Sequence, residues 1–101
     1  MEKVVSALGG SLLNWGDFLG RAESEAFGAV WVTGGYKTAW NDDGAVGSLA
    51  NSKLLIVQDC LASPLWDRAD YQLPSATFAE REGSYVNYQD RLQSFKWAVR
   101  P

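Results

Sequence analysis

The fold is decided by residues 53–87, which read KLLIVQDCLASPLWDRADYQLPSATFAEREGSYVN. This stretch opens with an apolar run from Leu54 to Gln58, which is typical of a strand that is covered on both faces. Asp59 and Cys60 follow at the carboxyl end of that strand, where open α/β sheets usually bind their ligands. The run therefore predicts both a central strand and the position of a site.

The rest of the stretch predicts three further elements. Ser63-Pro64 begins a short helical turn that ends at Ala69, and Asp70 to Pro74 then alternates like a second strand. Beyond Pro74, residues 85–87 and 91–95 flank Tyr88-Gln89-Asp90, a pattern that predicts a hairpin closed by a three-residue turn. Residues 96–99 would extend the second arm of this hairpin.

The N-terminal half predicts the partner elements of the sheet. Asn14 is an N-cap candidate for a helix with apolar residues at helical spacing. Ala29 to Thr33 reads as a buried strand, and Asp42 or Asp43 caps a second helix that crosses back to the Leu54 strand.

These elements define an α/β fold: a small βαβ parallel sheet flanked by helices, with an antiparallel hairpin appended at the C-terminus. We expect one domain over residues 1–101, with the βαβ core in residues 11–74 and the hairpin extension in residues 75–101.

Composition excludes several classes of function. The 101-residue chain contains no histidine and a single cysteine, so a Ser-His or Cys-His nucleophile and a Cys/His metal site are excluded within one chain. We predict no catalytic and no metal-binding residue. The net charge of −3 has no basic cluster, which argues against nucleic acid as a partner. No stretch has the roughly 20 apolar residues of a membrane span, so we expect no membrane insertion and a cytoplasmic location.

Four residues at predicted strand ends are candidates for ligand binding. Gly34-Gly35 follows the first strand, and such a pair either cradles a phosphate or pterin group or forms a tight turn with positive φ. Gln58 and Asp59 end the second strand. Asp59 either accepts hydrogen bonds from a guanine edge or closes a turn through a local side-chain bond. The sequence leaves both alternatives open.

Three motifs follow one another in a specific order. Residues 56–59 are similar to a strand that ends in V-x-Q-D, residues 69–74 match A-D-x-x-L-P, and residues 79–87 match A-E-x-x-G-x-x-x-N. In this order the motifs resemble the late domain of molybdopterin-dependent oxidoreductases. The resemblance runs from about Asp17 to Pro101 and is greatest to the C-terminal domain of the large iron–sulfur subunit of NADH-quinone oxidoreductase, the respiratory complex I relative of those enzymes.

The resemblance implies a fragment of a larger enzyme, in which metal and cluster ligands lie in other domains. Gly34, Gly35, Gln58 and Asp59 match positions that approach the guanosine part of a pterin dinucleotide. Many catalytic relatives have a T-E-T-A passage after the second strand, whereas residues 62–66 here read ASPLW.

We therefore expect a non-catalytic structural or interaction module without a cofactor, and no activity from the chain alone. The alternative is a residual pterin or guanine-nucleotide module that binds molybdopterin guanine dinucleotide.

The aromatic content predicts an interaction surface. Five tryptophans are many for a chain of this length, and a small open sheet cannot easily bury them all. Unpaired edges are templates for another chain, so we expect a homodimer through residues 85–99. Other subunits of a respiratory complex are the further partners that the resemblance implies.

Overall fold

The structure is a computed structural model that describes residues 2–24, 27–35 and 41–100. Along the chain the elements are helices α1 (Glu2–Ala7) and α2 (Trp15–Ser24), strand β1 (Val30–Thr33), helix α3 (Asp43–Ala50), strand β2 (Leu55–Asp59), helix α4 (Pro64–Arg68) and strands β3 (Tyr71–Pro74), β4 (Gly83–Val86) and β5 (Leu92–Phe95). Strands β1, β2 and β3 form a parallel sheet, and β4 and β5 form an antiparallel hairpin. The predicted fold class is confirmed.

The parallel sheet has β2 at its centre. Helix α3 connects β1 to β2 and helix α4 connects β2 to β3, so each parallel pairing is bridged by a helix. Asp70 fixes the register of β3, because its carboxylate accepts a hydrogen bond from Leu55 N at 2.7 Å and its own N–H donates to Leu55 O at 2.9 Å. All three strands therefore end at the same edge of the sheet.

The hydrophobic core covers one face of this sheet. Every second residue of β1 and β2 points to it, and these side chains pack against α2, α3 and α4. The buried apolar residues of this cluster are Ala22, Val30, Val32, Val46, Leu49, Leu55, Val57 and Leu65. At roughly 1.5–3 kcal/mol for each large apolar side chain, this single layer of contacts is the main stabilising element of the sheet.

Side-chain caps begin the helices that the sequence predicts. Asn14 Oδ1 accepts from Asp17 N at 2.9 Å at the start of α2, and Asp42 Oδ1 accepts from Ala45 N at 2.8 Å at the start of α3. Ser63 Oγ accepts from Trp66 N at 3.2 Å, with Pro64 in the first turn of α4. Each cap satisfies an N–H that the helix itself leaves without a partner.

The other face of the sheet differs from the prediction. The sequence predicts that β1 and β2 are buried on both faces, yet Trp31 of β1 is 62% exposed, as is Tyr71 of the neighbouring β3 at 61%. These two residues flank Ile56 in one register row. The helices that contribute to the core, α2, α3 and α4, all pack on the opposite face.

The hairpin is shorter than predicted. Its turn lies at Tyr88 to Asp90 as expected, and Asn87 Oδ1 holds it by accepting from Gln89 N and Arg91 N. Residues 96–99 do not extend the second arm. Instead, the N–H groups of residues 98 and 99 donate to Ala79 O at 2.8 and 3.0 Å, which turns the chain back towards the loop before β4.

Candidate functional site

A cleft of about 380 Å³ lies at the carboxyl ends of the parallel strands. Its walls come from the turn after β1, the loop after β2 and the loop after β3. The lining residues are Gly34, Gly35, Cys60, Leu61, Ser75, Ala76, Thr77, Phe78 and Arg81. This is the edge at which parallel α/β sheets usually bind ligands, and the volume suits a small organic group.

The Gly34-Gly35 turn forms the wall on the β1 side. Gly34 N donates to Gln58 O at 2.8 Å, so the β1–β2 ladder continues into the turn. A β-carbon at Gly34 would overlap the Asp59 carboxylate, and Gly35 has φ +115°, which strains any side-chain-bearing residue. The two glycines are therefore required by close packing and by backbone conformation, respectively.

Asp59 lies behind the wall of the cleft and holds the loops that form it. The residue is only 3% exposed, and its Oδ1 accepts from Cys60 N at 2.7 Å and from Leu61 N at 3.1 Å. Its main-chain oxygen accepts from Ser75 N at 3.0 Å. Asp59 thus holds the loop after β2 through its carboxylate and the loop after β3 through its main-chain oxygen.

The loop after β3 is held by a local pair. Glu80 Oε2 accepts from Thr77 N at 3.1 Å and from Thr77 Oγ1 at 2.8 Å, and Glu80 N donates to Thr77 O at 3.1 Å. The backbone hydrogen bond from Thr77, followed by the bond from its hydroxyl, holds the pKa of Glu80 below its ordinary value, against a small opposing effect of burial. Both bonds favour the carboxylate form, so this loop is most rigid when Glu80 is ionised.

Arg81 supplies the only charged side chain among the described residues that line the cleft. Its Nη2 donates to the hydroxyl of Tyr85 at 3.3 Å, so the guanidinium is tethered to the hairpin. A guanidinium has further donors in a planar fork that suits phosphate oxygens. Exposed Phe78 and half-buried Cys60 add apolar surface, so the cleft presents a cation beside a surface suited to a flat ring.

The structure brings together only part of the predicted site. Gly34 and Gly35 line the cleft, whereas Asp59 stands behind its wall. Gln58 alternates with Asp59 along β2, and its side chain lies on the open face of the sheet between Thr33 and Leu73 in register. Whether any of the four predicted residues contacts a ligand stays a prediction.

Sequence reasoning missed the residues that follow β3, chiefly Ser75, Thr77 and Arg81. The signal was present, because a third parallel strand ending at Pro74 places its following loop at the same edge as the other two. The position of Cys60 after an apolar strand predicts an inert core thiol, yet the residue is half-buried and lines the cleft.

The described residues contain neither a cluster of metal-ligating side chains nor a helix that could cross a membrane. No group of three or more His, Cys, Asp or Glu side chains in residues 2–24, 27–35 and 41–100 is arranged to hold a metal ion. Over the same part of the chain, no helix has the length and apolar character needed to cross a membrane.

Comparison with known families gives the class of protein to which this fold and cleft belong. The family model of the molybdopterin oxidoreductases matches residues 15–101, from the start of α2 onward. Because the match covers most of the chain, the protein belongs to the molybdopterin oxidoreductase family. A search of curated proteins found no significant match.

The family assignment corrects one expectation. The absence of a T-E-T-A passage favours a chain without a cofactor, but molybdopterin oxidoreductases bind the molybdopterin cofactor, so that expectation is wrong. The passage is replaced by the capped helix α4, whose Leu65 is fully buried in the core. None of the residues of α4 lines the cleft at the strand ends.

The cleft fits the organic part of such a cofactor. Molybdopterin carries phosphate and a flat heterocycle, and the cleft offers the Arg81 guanidinium, two hydroxyl side chains and exposed Phe78. A volume of about 380 Å³ admits one such group rather than a whole dinucleotide.

Proposed function

We propose that this chain is the part of a molybdopterin oxidoreductase that forms one wall of the cofactor site. The bound cofactor supplies the redox chemistry, and the residues of this chain bind and orient its phosphate-bearing part. We assign Arg81 to the phosphate, Ser75 to a hydrogen bond with the same group, and Phe78 to contact with a ring. In this proposal the chain binds and positions the cofactor and contributes no catalytic residue.

One observation carries the proposal: three loops converge on a cleft that contains a guanidinium, at the carboxyl edge of a parallel sheet. Hydrogen bonds fix the shape of the cleft, because the buried residue Asp59 bonds to both the loop after β2 and the loop after β3. The buried carboxylate holds the loop after β2, and the main-chain oxygen of the same residue holds the loop after β3, so one residue fixes the positions of both loops.

Guanosine diphosphate is a suitable probe because it combines a diphosphate with a flat purine. We expect it to bind the purified chain and to raise its thermal unfolding midpoint, and Arg81→Gln to weaken binding at least about tenfold, as loss of a charge-assisted bond does. Calorimetric titration measures both affinities. Inorganic pyrophosphate, added as a competitor, reports on the diphosphate part alone.

Two variants serve as matched controls for Arg81→Gln. Tyr85→Phe removes the hydroxyl that tethers Arg81 but keeps the guanidinium, and Arg68→Gln removes the same charge from α4, away from the cleft. Both should keep most of the affinity. Equal affinity in the wild type and Arg81→Gln, or no binding by a folded wild type, would overturn the proposal.

We further propose a finer placement within the family, in the large iron–sulfur subunit of NADH-quinone oxidoreductase. The supporting observation is the ordered set of motifs around β2, β3 and β4, together with helix α4 where many catalytic relatives have T-E-T-A. Its test is reconstitution with the other peripheral subunits of a respiratory complex. Co-migration with those subunits supports the placement, and co-migration with none of them contradicts it.

A further inference from the structure

The hairpin has two faces of different character. In the antiparallel register Ser84 pairs with Ser94 and Val86 pairs with Leu92, and residues that face each other across the strands share one side. We call these four residues the Val86–Leu92 face. The alternate strand residues point to the opposite side, which includes Tyr85.

The Tyr85 side is already occupied by its own side chains. The rings of Tyr85 and Phe95 stack with centroids 4.8 Å apart, and a β-carbon at Gly83 would lie 3.1 Å from the Phe95 ring. Arg81 also donates to the Tyr85 hydroxyl on this side. These contacts stack two rings over the strands and link this side to the cleft, although Tyr85 itself is 58% exposed.

The Val86–Leu92 face has no such cover. Val86 is 64% exposed and Leu92 is 73% exposed, and Tyr88 at the adjoining turn is 92% exposed. None of the four residues of the face is charged, and among the described residues neither β4 nor β5 has a second neighbouring strand. A two-stranded ribbon with an uncovered apolar face is only marginally stable in water. We therefore expect a partner to cover this face.

We propose that the Val86–Leu92 face binds a second copy of the same chain, packed face to face about a two-fold axis. Two such faces are self-complementary, because both are flat and present small or aliphatic side chains. The four residues of the face carry no charge, and the neighbouring charges of Glu82 and Lys96 pair with each other at 2.9 Å, so two copies can meet there without repulsion. The Tyr85 side and Arg81 stay free for the cleft.

The size of the face sets the strength of the contact. The exposed side chains of Val86, Tyr88 and Leu92 present on the order of 400 Å² of surface per copy. With the two serines and the strand edges, an interface between two copies would bury about 1,200 Å². That area is the lower bound for stable specific interfaces. The dimer therefore forms at micromolar concentration and above, and dissociates on dilution. The open sheet face around Trp31 is not needed for it.

Sedimentation equilibrium over a range from micromolar to near-millimolar protein tests this dimer. The wild type should approach twice the 11.1 kDa mass of the chain as its concentration rises. Leu92→Glu places a carboxylate in the centre of the contact and should raise the dissociation constant at least about tenfold. Tyr88→Glu, at an exposed turn that carries no packing of its own, should weaken the dimer without affecting the fold.

Matched variants separate this face from the alternatives. Gln93→Glu introduces the same charge one residue away on the opposite side of β5, and Tyr71→Glu introduces it on the open sheet face; both should keep the dimer. Circular dichroism checks that each variant is folded. A wild type that stays monomeric throughout, or a dimer that Tyr71→Glu abolishes while Leu92→Glu and Tyr88→Glu keep it, overturns the proposal.

Discussion

The backbone of Gly34 lies against the carboxylate of Asp59 so closely that a β-carbon at position 34 would overlap it. The contact joins the end of β1 to the end of β2, where the main-chain bond from Gly34 N to Gln58 O also lies. Gly34 must therefore lack a side chain so that the Asp59 carboxylate can stay buried at the sheet edge. The cleft depends on this contact, because Asp59 in turn holds the loops that line it.

Replacing Gly34 with alanine should destabilise the protein by about 1–3 kcal/mol, the usual range for overpacking a well-packed site. The Asp59 carboxylate would have to move, and its bonds to the loop after β2 would lengthen. Urea unfolding measures the change in the free energy of unfolding. An unchanged midpoint would contradict the close contact.

Gly47→Ala is the control for that substitution. Gly47 lies within α3, and a β-carbon there would meet no atom within 4 Å. Alanine is a better helix former than glycine, so this variant should be more stable by about 0.5–1 kcal/mol. Opposite signs for the two substitutions would show that space at Gly34, rather than glycine as such, decides the outcome.

The Asp59 carboxylate should contribute through the two loop amides from which it accepts hydrogen bonds. Asp59→Ala removes the acceptor for Cys60 N and Leu61 N and should cost about 0.5–2 kcal/mol, as loss of a cap-like bond does. Because Cys60 and Leu61, whose amides the carboxylate holds, line the cleft, guanosine diphosphate affinity should fall with stability. Asp42→Ala, which removes the N-cap of α3 at a position that does not line the cleft, should lower stability alone.

Calorimetric titration of the two variants separates these effects. If Asp59→Ala loses stability but keeps full affinity, Asp59 does not position the cleft. If it abolishes binding while stability is unchanged, then Asp59 contacts the ligand directly, as the guanine-edge alternative from the sequence requires.

Local chemistry explains what the sequence could predict. Asn14, Asp42 and Ser63 each precede a helix and accept from an N–H three residues further along, and such bonds depend only on neighbouring residues. The strands of the parallel sheet are also located to within a residue or two, because short apolar runs between turn residues leave few alternatives. For the same reason the hairpin turn was placed correctly.

What the sequence could not predict depends on contacts between distant residues. The apolar run Leu54 to Val57 has no alternation, so it does not reveal that its alternate side chains face an uncovered side. Residues 96–99 have strand-like composition, yet the N–H groups of residues 98 and 99 donate hydrogen bonds to Ala79 O. No local sequence pattern indicates these bonds. In both cases the tertiary partner decides the structure.

The cleft was half predicted for a related reason. Gly34 and Gly35 are recognisable as a turn from the local sequence alone. Arg81 follows β3 in the chain and reaches the cleft only because of the order of the strands in the sheet. The expectation of no cofactor failed because it relied on one missing motif after β2. The groups that line the cleft come from three separate loops, and one loop does not define them.

Glu80 should make stability dependent on pH in the acidic range. Its folded-state pKa lies below the ordinary value of 4.5, so the unfolded chain binds the proton more readily. The stabilisation is therefore fully present above that value and is lost as the pH falls through the folded-state pKa. Glu80→Gln, which keeps an acceptor but not the charge, should be less stable than the wild type at neutral pH.

The pH profile of the unfolding free energy tests this assignment. The difference between the wild type and Glu80→Gln should shrink as the pH is lowered from about 6 into the acidic range, because protonation of Glu80 removes the charge that distinguishes the two proteins. Thr77→Val removes the hydroxyl donor but keeps the backbone donor, so it should reduce the difference without abolishing it. Glu2→Gln, which removes the same charge from exposed α1, controls for the net charge. A difference between the wild type and Glu80→Gln that is constant over this range would show that the Thr77 bonds do not select the ionised carboxylate.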